Sequence, residues 1–183
     1  MMLRAILLAC GVLGAVGAAF ADQTDPRLED LFATLEQAPT ADEAAPIEQQ
    51  IWAIWFEAPD EVAQSLMSAG VTAMQRGDYD AALKEFDQVI ASTPDFAEGW
   101  NRRATLYYLT GDLELSLADI TKTLELEPRH FGALSGRGLV YTQLGELDRA
   151  LDAFEAALAV NPRMPGPKIN ADAIRRMLDQ RDI

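Results

Sequence analysis

The sequence predicts an all-α fold built from stacked pairs of antiparallel helices, and two observations support this prediction. Pro94, Pro128 and Pro162 stand 34 residues apart, a spacing that indicates a repeated structural unit. Small, large and acidic residues recur at the same spacing. Their rows are Gly77, Gly111 and Gly145; Asp78, Asp112 and Glu146; Leu83, Leu117 and Leu151; Gly70, Ala104 and Gly138; Ala82, Ser116 and Ala150; and Phe86, Ile120 and Phe154.

Each unit contains two segments in which apolar residues recur at helical spacing. The first segments cover residues 62–75, 97–109 and 132–144. A glycine follows each of them, because glycine takes the left-handed conformation at a helix C-terminus without strain. The second segments run to the prolines, which cannot continue a helix. Two helices joined by such a short turn lie antiparallel.

The second unit resembles the tetratricopeptide repeat (TPR), whose pattern alternates large, small and aromatic positions before a proline. The matching residues are Trp100, Ala104, Tyr107, Ser116, Ile120 and Pro128. The resemblance covers residues 63–164, as three units at 63–96, 97–130 and 131–164. It implies a right-handed α-solenoid whose concave face is lined by the first helix of each unit.

The flanking residues depart from the repeat pattern. Residues 22–62 contain two helical segments, but Glu36 and Glu48 stand where the repeat register calls for small residues. We therefore predict a degenerate leading helix pair, whose Trp52 and Trp55 close the exposed end of the first repeat. Ligand binding by these tryptophans is the alternative. Residues 165–183 predict a C-terminal capping helix, because repeat arrays need a solvated end. We expect that helix from Ile169 onward, with one apolar stripe formed by Ala173, Ile174, Met177 and Leu178.

Residues 1–21 have the pattern of a secretory signal peptide. Arg4 precedes an apolar stretch that is shorter than the roughly 20 residues of a membrane-spanning helix. We expect cleavage after Ala21 and a periplasmic location. A retained membrane anchor and lipidation at Cys10 are the alternatives. Cleavage removes Cys10, the only cysteine, and with it any disulfide or thiolate chemistry.

The charge balance argues against two classes of partner. The chain has 15 Lys and Arg against 29 Asp and Glu, a formal net charge of −14. Nucleic acids and anionic lipid surfaces are bound by clustered cations, so we expect neither as a partner. The acids concentrate in residues 22–61, which contain one arginine and eleven Asp or Glu. This region is either a solvated end or a surface that steers a basic partner.

The sequence contains none of the motifs that usually indicate catalysis, cofactor binding or metal binding. The single histidine, His130, lies in a turn between repeats, where a structural role is expected. The sequence has no HExxH, GxSxG, phosphate-binding glycine loop or calcium loop. We therefore expect a protein that is not an enzyme and uses no cofactor.

Two arginines interrupt the apolar first helices at equivalent places. Arg103 stands directly before Ala104, and Arg137 directly before Gly138, an arrangement that resembles many TPR units. Asp119 on the following helix is the natural acidic partner. We predict a structural ion pair formed by these residues. Ligand binding is the alternative role.

The groove is the remaining candidate site. The inward rows that the TPR resemblance implies are Met67, Val71 and Met74; Asn101, Thr105 and Tyr108; and Ser135, Leu139 and Thr142. TPR domains that hold acidic chaperone peptides use a clamp of Lys, Asn and Arg in these rows, and Met67, Val71 and Gly136 replace those residues here. A groove of this composition suits a peptide with apolar side chains.

The expected function is that of a periplasmic adaptor that binds a protein or peptide partner in its groove. Small exported TPR proteins resemble it, and such relatives act in envelope assembly, cell-wall synthesis or cytochrome maturation. A structural protein that forms homo-oligomers through its leading pair and tail is the alternative.

Overall fold

The computed structural model describes residues 22–181, which form nine α-helices and no β-strand. The helices are α1 (Arg27–Gln37), α2 (Ala41–Phe56), α3 (Glu61–Gln75), α4 (Tyr79–Ser92), α5 (Ala97–Thr110), α6 (Leu113–Leu126), α7 (Phe131–Gln143), α8 (Leu147–Val160) and α9 (Pro165–Arg181). The pairs α3–α4, α5–α6 and α7–α8 stack in chain order, with α4 against α5 and α6 against α7. The predicted α-solenoid of helix pairs is confirmed. The signal peptide prediction lies outside the described residues.

The turn inside each repeat depends on a glycine in the left-handed region. Gly77, Gly111 and Gly145 have φ angles of 77°, 86° and 75°. The residue after each glycine donates its backbone N–H to a carbonyl five residues earlier, for example Asp78 to Ala73 at 3.0 Å. These bonds satisfy carbonyls that the helix end would leave unpaired. The glycine row therefore sets where each first helix stops.

Within each helix pair of a repeat, a small residue on the first helix faces a large residue on the second. The small residues are Gly70, Ala104 and Gly138, and the large ones are Phe86, Ile120 and Phe154. A Cβ atom added to Gly70 would lie 2.5 Å from Cε1 of Phe86, and one added to Gly138 would lie 2.6 Å from the ring of Phe154. The second repeat instead combines Ala104 with the smaller Ile120. A larger residue on one helix is thus balanced by a smaller one on the other, which keeps the interior close-packed.

The leading pair does not close the first repeat, and this corrects the sequence prediction for Trp52 and Trp55. Both tryptophans pack against the start of α7. Trp52 lies edge-on to Phe131 at 5.5 Å, and Trp55 stacks on His130 with ring centroids 4.1 Å apart. The pair is therefore folded back over the second and third repeats.

Long-range polar contacts hold the leading pair in this position. Arg163 donates from Nε to the carbonyl of Ala38 at 2.7 Å, and Arg129 forms an ion pair with Glu29 at 2.9 Å. Before α1, the Gln23 side chain accepts from the Ala97 N–H at 3.2 Å. These contacts join the leading pair to the turns that precede α5, α7 and α9.

The outer face of the first repeat explains why no cap is needed there. Val62, Ser65 and Thr72 are exposed on α3. The residues at the equivalent places in the second and third repeats are buried: Phe96, Gly99 and Leu106, and His130, Ala133 and Val140. The two hydroxyl side chains make this end compatible with water, so the aromatic residues of α2 can pack elsewhere.

The C-terminal helix covers the last repeat but differs from the prediction in two respects. It begins at Pro165 rather than near Ile169, because proline fits the first turn of a helix, where its missing N–H has no helical partner. Its contact with α8 uses Ala171 and Ile174, while Met177 is 55% exposed rather than part of the packed stripe.

Candidate functional site

A pocket of about 210 Å³ opens on the concave face between α5, α6 and α7. The first helices supply most of its lining, and α6 forms its floor. The lining residues are Asn101, Ala104, Thr105, Tyr108, Ser116, Ile120, Gly132, Ser135, Gly136, Leu139 and Met164. The pocket is small enough to receive one or two side chains of a partner rather than a whole helix.

Five of the nine predicted groove residues meet in this pocket. They are Asn101, Thr105, Tyr108, Ser135 and Leu139. Thr142 is exposed one turn beyond the lining. The structure thus brings together the predicted rows of the second and third repeats.

The first repeat contributes less to the groove than the sequence predicts. Met67 is fully buried in the cluster formed by α3, α4 and α5, so its assignment to the groove surface is wrong. Its side chain belongs to the same buried cluster as Phe86 of α4, so it fills the space between the helices of the first pair. Val71 and Met74 are half-buried against the same cluster.

The pocket combines apolar walls with neutral polar groups. No charged side chain lines it. The hydroxyls of Thr105 and Ser116 donate to the carbonyls of Asn101 at 2.9 Å and Ala104 at 2.8 Å, which leaves their oxygens as acceptors. The pocket therefore favours an apolar side chain flanked by backbone N–H groups.

A buried polar cluster lies beside the pocket, at the starts of α5 and α7. His130 accepts the Ala133 N–H at Nδ1 (3.1 Å), so its Nε2 carries the hydrogen and donates to Glu98 at 3.0 Å. Glu98 also accepts from Asn101 at 2.8 Å and from Arg102 at 2.5 Å. Asn101 belongs to both the cluster and the pocket, so the cluster fixes one wall of the site.

The environment of Glu98 favours its charged form. Burial alone opposes ionisation of this carboxyl, which is fully enclosed. The cation of Arg102 and the hydrogen bonds from His130 and Asn101 outweigh that effect and hold the pKa of Glu98 below its ordinary value. An ionised Glu98 in turn holds Arg102 and His130 in place.

Arg103 joins three helices in an ion-pair network. It donates from Nε and Nη2 to both carboxylate oxygens of Asp119, at 2.7 and 2.9 Å, and from Nη1 to Asp87 of the first repeat at 2.6 Å. The hydrogen bond with Asp119 raises the pKa of Arg103 above its ordinary value. The rings of Trp100 and Tyr107 lie 5.1 and 5.6 Å from the guanidinium carbon. These contacts hold Arg103 within the framework and outside the pocket lining.

Arg137 stands outside any such network, which corrects its predicted grouping with Arg103 and Asp119. The positions equivalent to Asp87 and Asp119 are Thr121 and Ala153, and neither has a carboxylate. Between residues 22 and 181, no ion pair of Arg137 is found. The sequence contained the signal for this difference, since Thr121 and Ala153 stand where Arg137 would need the acids that pair with Arg103.

Sequence reasoning missed the residues at the edge of the pocket. Gly132 and Met164 line it, although neither belongs to the inward rows. His130 was expected to have a structural role, but its contacts with Glu98 and Trp55 were not predicted. Both contacts span more than 30 residues of chain, so local periodicity gives no sign of them.

Within the part of the chain that the structure describes, no group of three or more His, Cys, Asp or Glu side chains is placed to hold a metal ion.

Comparison with known proteins establishes the family. Tetratricopeptide-repeat models match residues 67–122 and 132–164. A TPR repeat-containing protein of Rhizobium etli is 38% identical over 136 residues, which cover 74% of this chain and 67% of the relative. The chain belongs to the tetratricopeptide-repeat family. The human DnaJ homolog subfamily C member 3 is 29% identical over 126 residues, and the matched region spans only 24% of that protein.

Solved TPR domains share the fold. The first TPR domain of Spaghetti (RPAP3), bound to an HSP90 peptide, superposes with a TM-score of 0.64 at 20% identity and covers 67% of this chain and 97% of that domain. The Sgt2 TPR domain of Aspergillus fumigatus gives a TM-score of 0.65 at 23% identity, covering 68% and 84% of the two chains. The second TPR domain of human RPAP3, in complex with an HSP70 peptide, is 25% identical with a TM-score of 0.59 and covers 62% and 95%.

Proposed function

We propose that this TPR protein is a non-enzymatic adaptor that binds a segment of a partner protein in the pocket between α5 and α7. The observation that carries the proposal is the uncharged, largely apolar lining of that pocket. Solved neighbours bound to HSP90 and HSP70 peptides support peptide binding as the type of function.

The partner segment differs in chemistry from those chaperone peptides. The peptides in the two neighbours contain the acidic sequence EEVD. A carboxylate needs a cation to compensate its lost hydration, and this pocket offers none. We infer a segment that places an apolar side chain beside Leu139 and Tyr108.

We further propose that the protein works in the periplasm, in envelope assembly or maturation. Arg4 and the following apolar stretch, with the expected cleavage point after Ala21, support export. Between residues 22 and 181, the helices lack the combined length and apolarity that a membrane span requires.

Self-association is the second candidate function. Ile169 and Met177 of α9 are 65% and 55% exposed, which leaves apolar area at the end of the array. Sedimentation over a concentration range tests it, with Ile169→Asp as the variant that would keep a dimer apart. A protein that stays monomeric throughout contradicts this candidate.

Site-specific photo-crosslinking in cells tests the adaptor function. A photoreactive phenylalanine analogue replaces either Thr105 or Thr121. Both threonines are exposed and donate their hydroxyls to a carbonyl four residues earlier, but only Thr105 lines the pocket. We expect a protein adduct from position 105 and none from position 121.

Two results would contradict the proposal. Equal adducts from both positions would indicate random encounters with the surface. No adduct from position 105, while a probe on α9 does react with a protein, would move the partner site away from the groove.

A further inference from the structure

The helix α2 fits the start of α5 and α7 as a helical ligand fits a groove. Trp52, Trp55 and Phe56 stand at positions i, i+3 and i+4, which lie on one face of a helix. Trp55 stacks on the His130 ring with planes 10° apart, and Trp52 meets that ring edge-on at 5.4 Å. Anchors with this spacing are typical of an amphipathic helix bound in a groove.

Hydrogen bonds within the receiving surface hold its side chains in position. Glu98 holds His130 and Arg102 through hydrogen bonds of 3.0 and 2.5 Å. The guanidinium carbon of Arg102 thereby lies 5.9 Å from the Trp52 ring and 5.2 Å from the Phe56 ring, within range of cation–π attraction. The surface therefore selects aromatic side chains by charge as well as by shape.

A single glycine lets the Trp52 ring approach the backbone of α7. A Cβ atom on Gly132 would lie 2.5 Å from Cη2 of Trp52. The equivalent positions in the first two repeats are Gln64 and Glu98, so only the third repeat can accept a ring here. Gly136, one turn further on, has only an ordinary contact with Ile120 at 3.8 Å.

We propose that this surface is a helix-recognition site, which the chain fills with its own α2 and which a partner reaches by presenting an amphipathic helix with aromatic residues at the same spacing. This inference rests on the adaptor function and names its partner. Gly132 and Met164 border both this surface and the open pocket, so one bound segment can span both.

The contact between α2 and this surface has one unfavourable feature, which allows a partner helix to compete with α2 for the surface. The indole N–H of Trp55 is buried and has no acceptor among residues 22–181. An unpaired buried donor is destabilising, because no hydrogen bond replaces the one it made with water. A partner helix that avoids this cost and also enters the pocket can displace α2.

A peptide of this chain's own residues 41–58, labelled with fluorescein, tests the inference. It is titrated onto the full chain and onto its Trp52→Ala variant, where the competing internal helix is weakened. We expect at least tenfold tighter binding to the variant, and loss of binding when the peptide itself has the Trp52→Ala change. Adding Gly132→Ala to the variant is expected to abolish binding. Gly166→Ala on α9 is the matched control and leaves binding unchanged, because Gly166 lies outside the pocket lining and a Cβ atom there meets nothing within 4 Å.

Hydrogen exchange of α1 and α2 in the variant shows whether the internal helix has been released. Equal peptide affinity for both proteins, or release of α2 without peptide binding, would overturn the inference. Unchanged exchange of α2 in the variant would also overturn it, because Trp52 would then not be the anchor. If Trp52→Ala fails to fold, Trp52→Leu serves in the same design. Failure of the peptide test leaves the crosslink from position 105 standing, so the two proposals can be rejected separately.

Discussion

At the scale of single residues, the same residue type has different roles in equivalent places. Arg103 and Arg137 occupy the same position of successive repeats, yet only Arg103 has carboxylates within reach. Asp119 is only 4% exposed, and Arg103 is the cation that pairs with it. The role of Arg103 is therefore structural, and its loss is expected to affect stability rather than recognition.

Replacing Arg103 by alanine is expected to lower the free energy of unfolding by about 3 kcal/mol, because it leaves Asp119 buried without a counter-charge. For a chain of this size that corresponds to a fall of roughly 10 °C in melting temperature. Arg137→Ala is the matched control, with an expected change below about 1 kcal/mol. Thermal unfolding followed by circular dichroism measures both, and equal losses would contradict the assignment.

Glu98 gives the fold a defined dependence on pH. Its pKa is lower in the folded protein than its ordinary value of 4.5. The stabilisation it provides is therefore complete above pH 4.5 and is lost as the pH falls through the folded-state value. Glu98→Gln is expected to cost about 2 kcal/mol at neutral pH, and this cost should shrink below pH 4.5.

Unfolding in denaturant at several pH values measures that difference. Exposed Glu114, which lies on α6, supplies the matched variant Glu114→Gln with little expected effect. A cost of Glu98→Gln that stays constant down to pH 3 would show that the ionised carboxylate is not what stabilises the cluster.

At the scale of helices, most of the structure follows from the 34-residue period. Prolines and glycines define the ends of the helices in each repeat, and the three first helices begin within one residue of the predicted positions. The matched volumes of Gly138 with Phe154 and of Ala104 with Ile120 are also visible in the sequence once the helices are paired. The burial of Met67 was not predictable in this way. Apolar residues that face the groove and apolar residues that face the neighbouring core recur at the same helical spacing, so the sequence pattern does not distinguish them.

Gly138→Ala is expected to destabilise the third repeat, because the new methyl group meets the Phe154 ring at 2.6 Å. Overpacking of this kind costs about 1–3 kcal/mol, against a gain of up to about 1 kcal/mol in helix propensity. Gly136→Ala makes only an ordinary contact with Ile120 at 3.8 Å and should stabilise. Adding Phe154→Ile to Gly138→Ala reproduces the second repeat's pairing and should restore part of the loss in a double-mutant cycle. Strictly additive effects would contradict the matched-volume account.

At the scale of the whole molecule, the leading pair is the feature that sequence reasoning placed incorrectly. Trp52 and Trp55 were expected at the outer end of the first repeat, but they contact His130 and Phe131. The polar outer face of α3 and the glycine at position 132 were legible in the sequence. Their consequence for the position of the leading pair follows only from the fold, which shows that the outer face of α3 is free and that Gly132 lies beside α2. The groove that remains open is consequently short, and its centre is the pocket between α5 and α7.

The affinity of the protein captured from position 105 tests this account most directly. It is measured with purified protein for the unchanged chain, for Leu139→Glu in the pocket, and for Leu115→Glu on α6, where the leucine is 50% exposed outside the pocket. The helical circular dichroism spectrum confirms that each variant is folded. We predict at least tenfold weaker binding for Leu139→Glu, because a carboxylate in the uncharged pocket loses its hydration without a partner, and no change for Leu115→Glu. Equal affinity of all three proteins would contradict the claim that the concave pocket is the binding site.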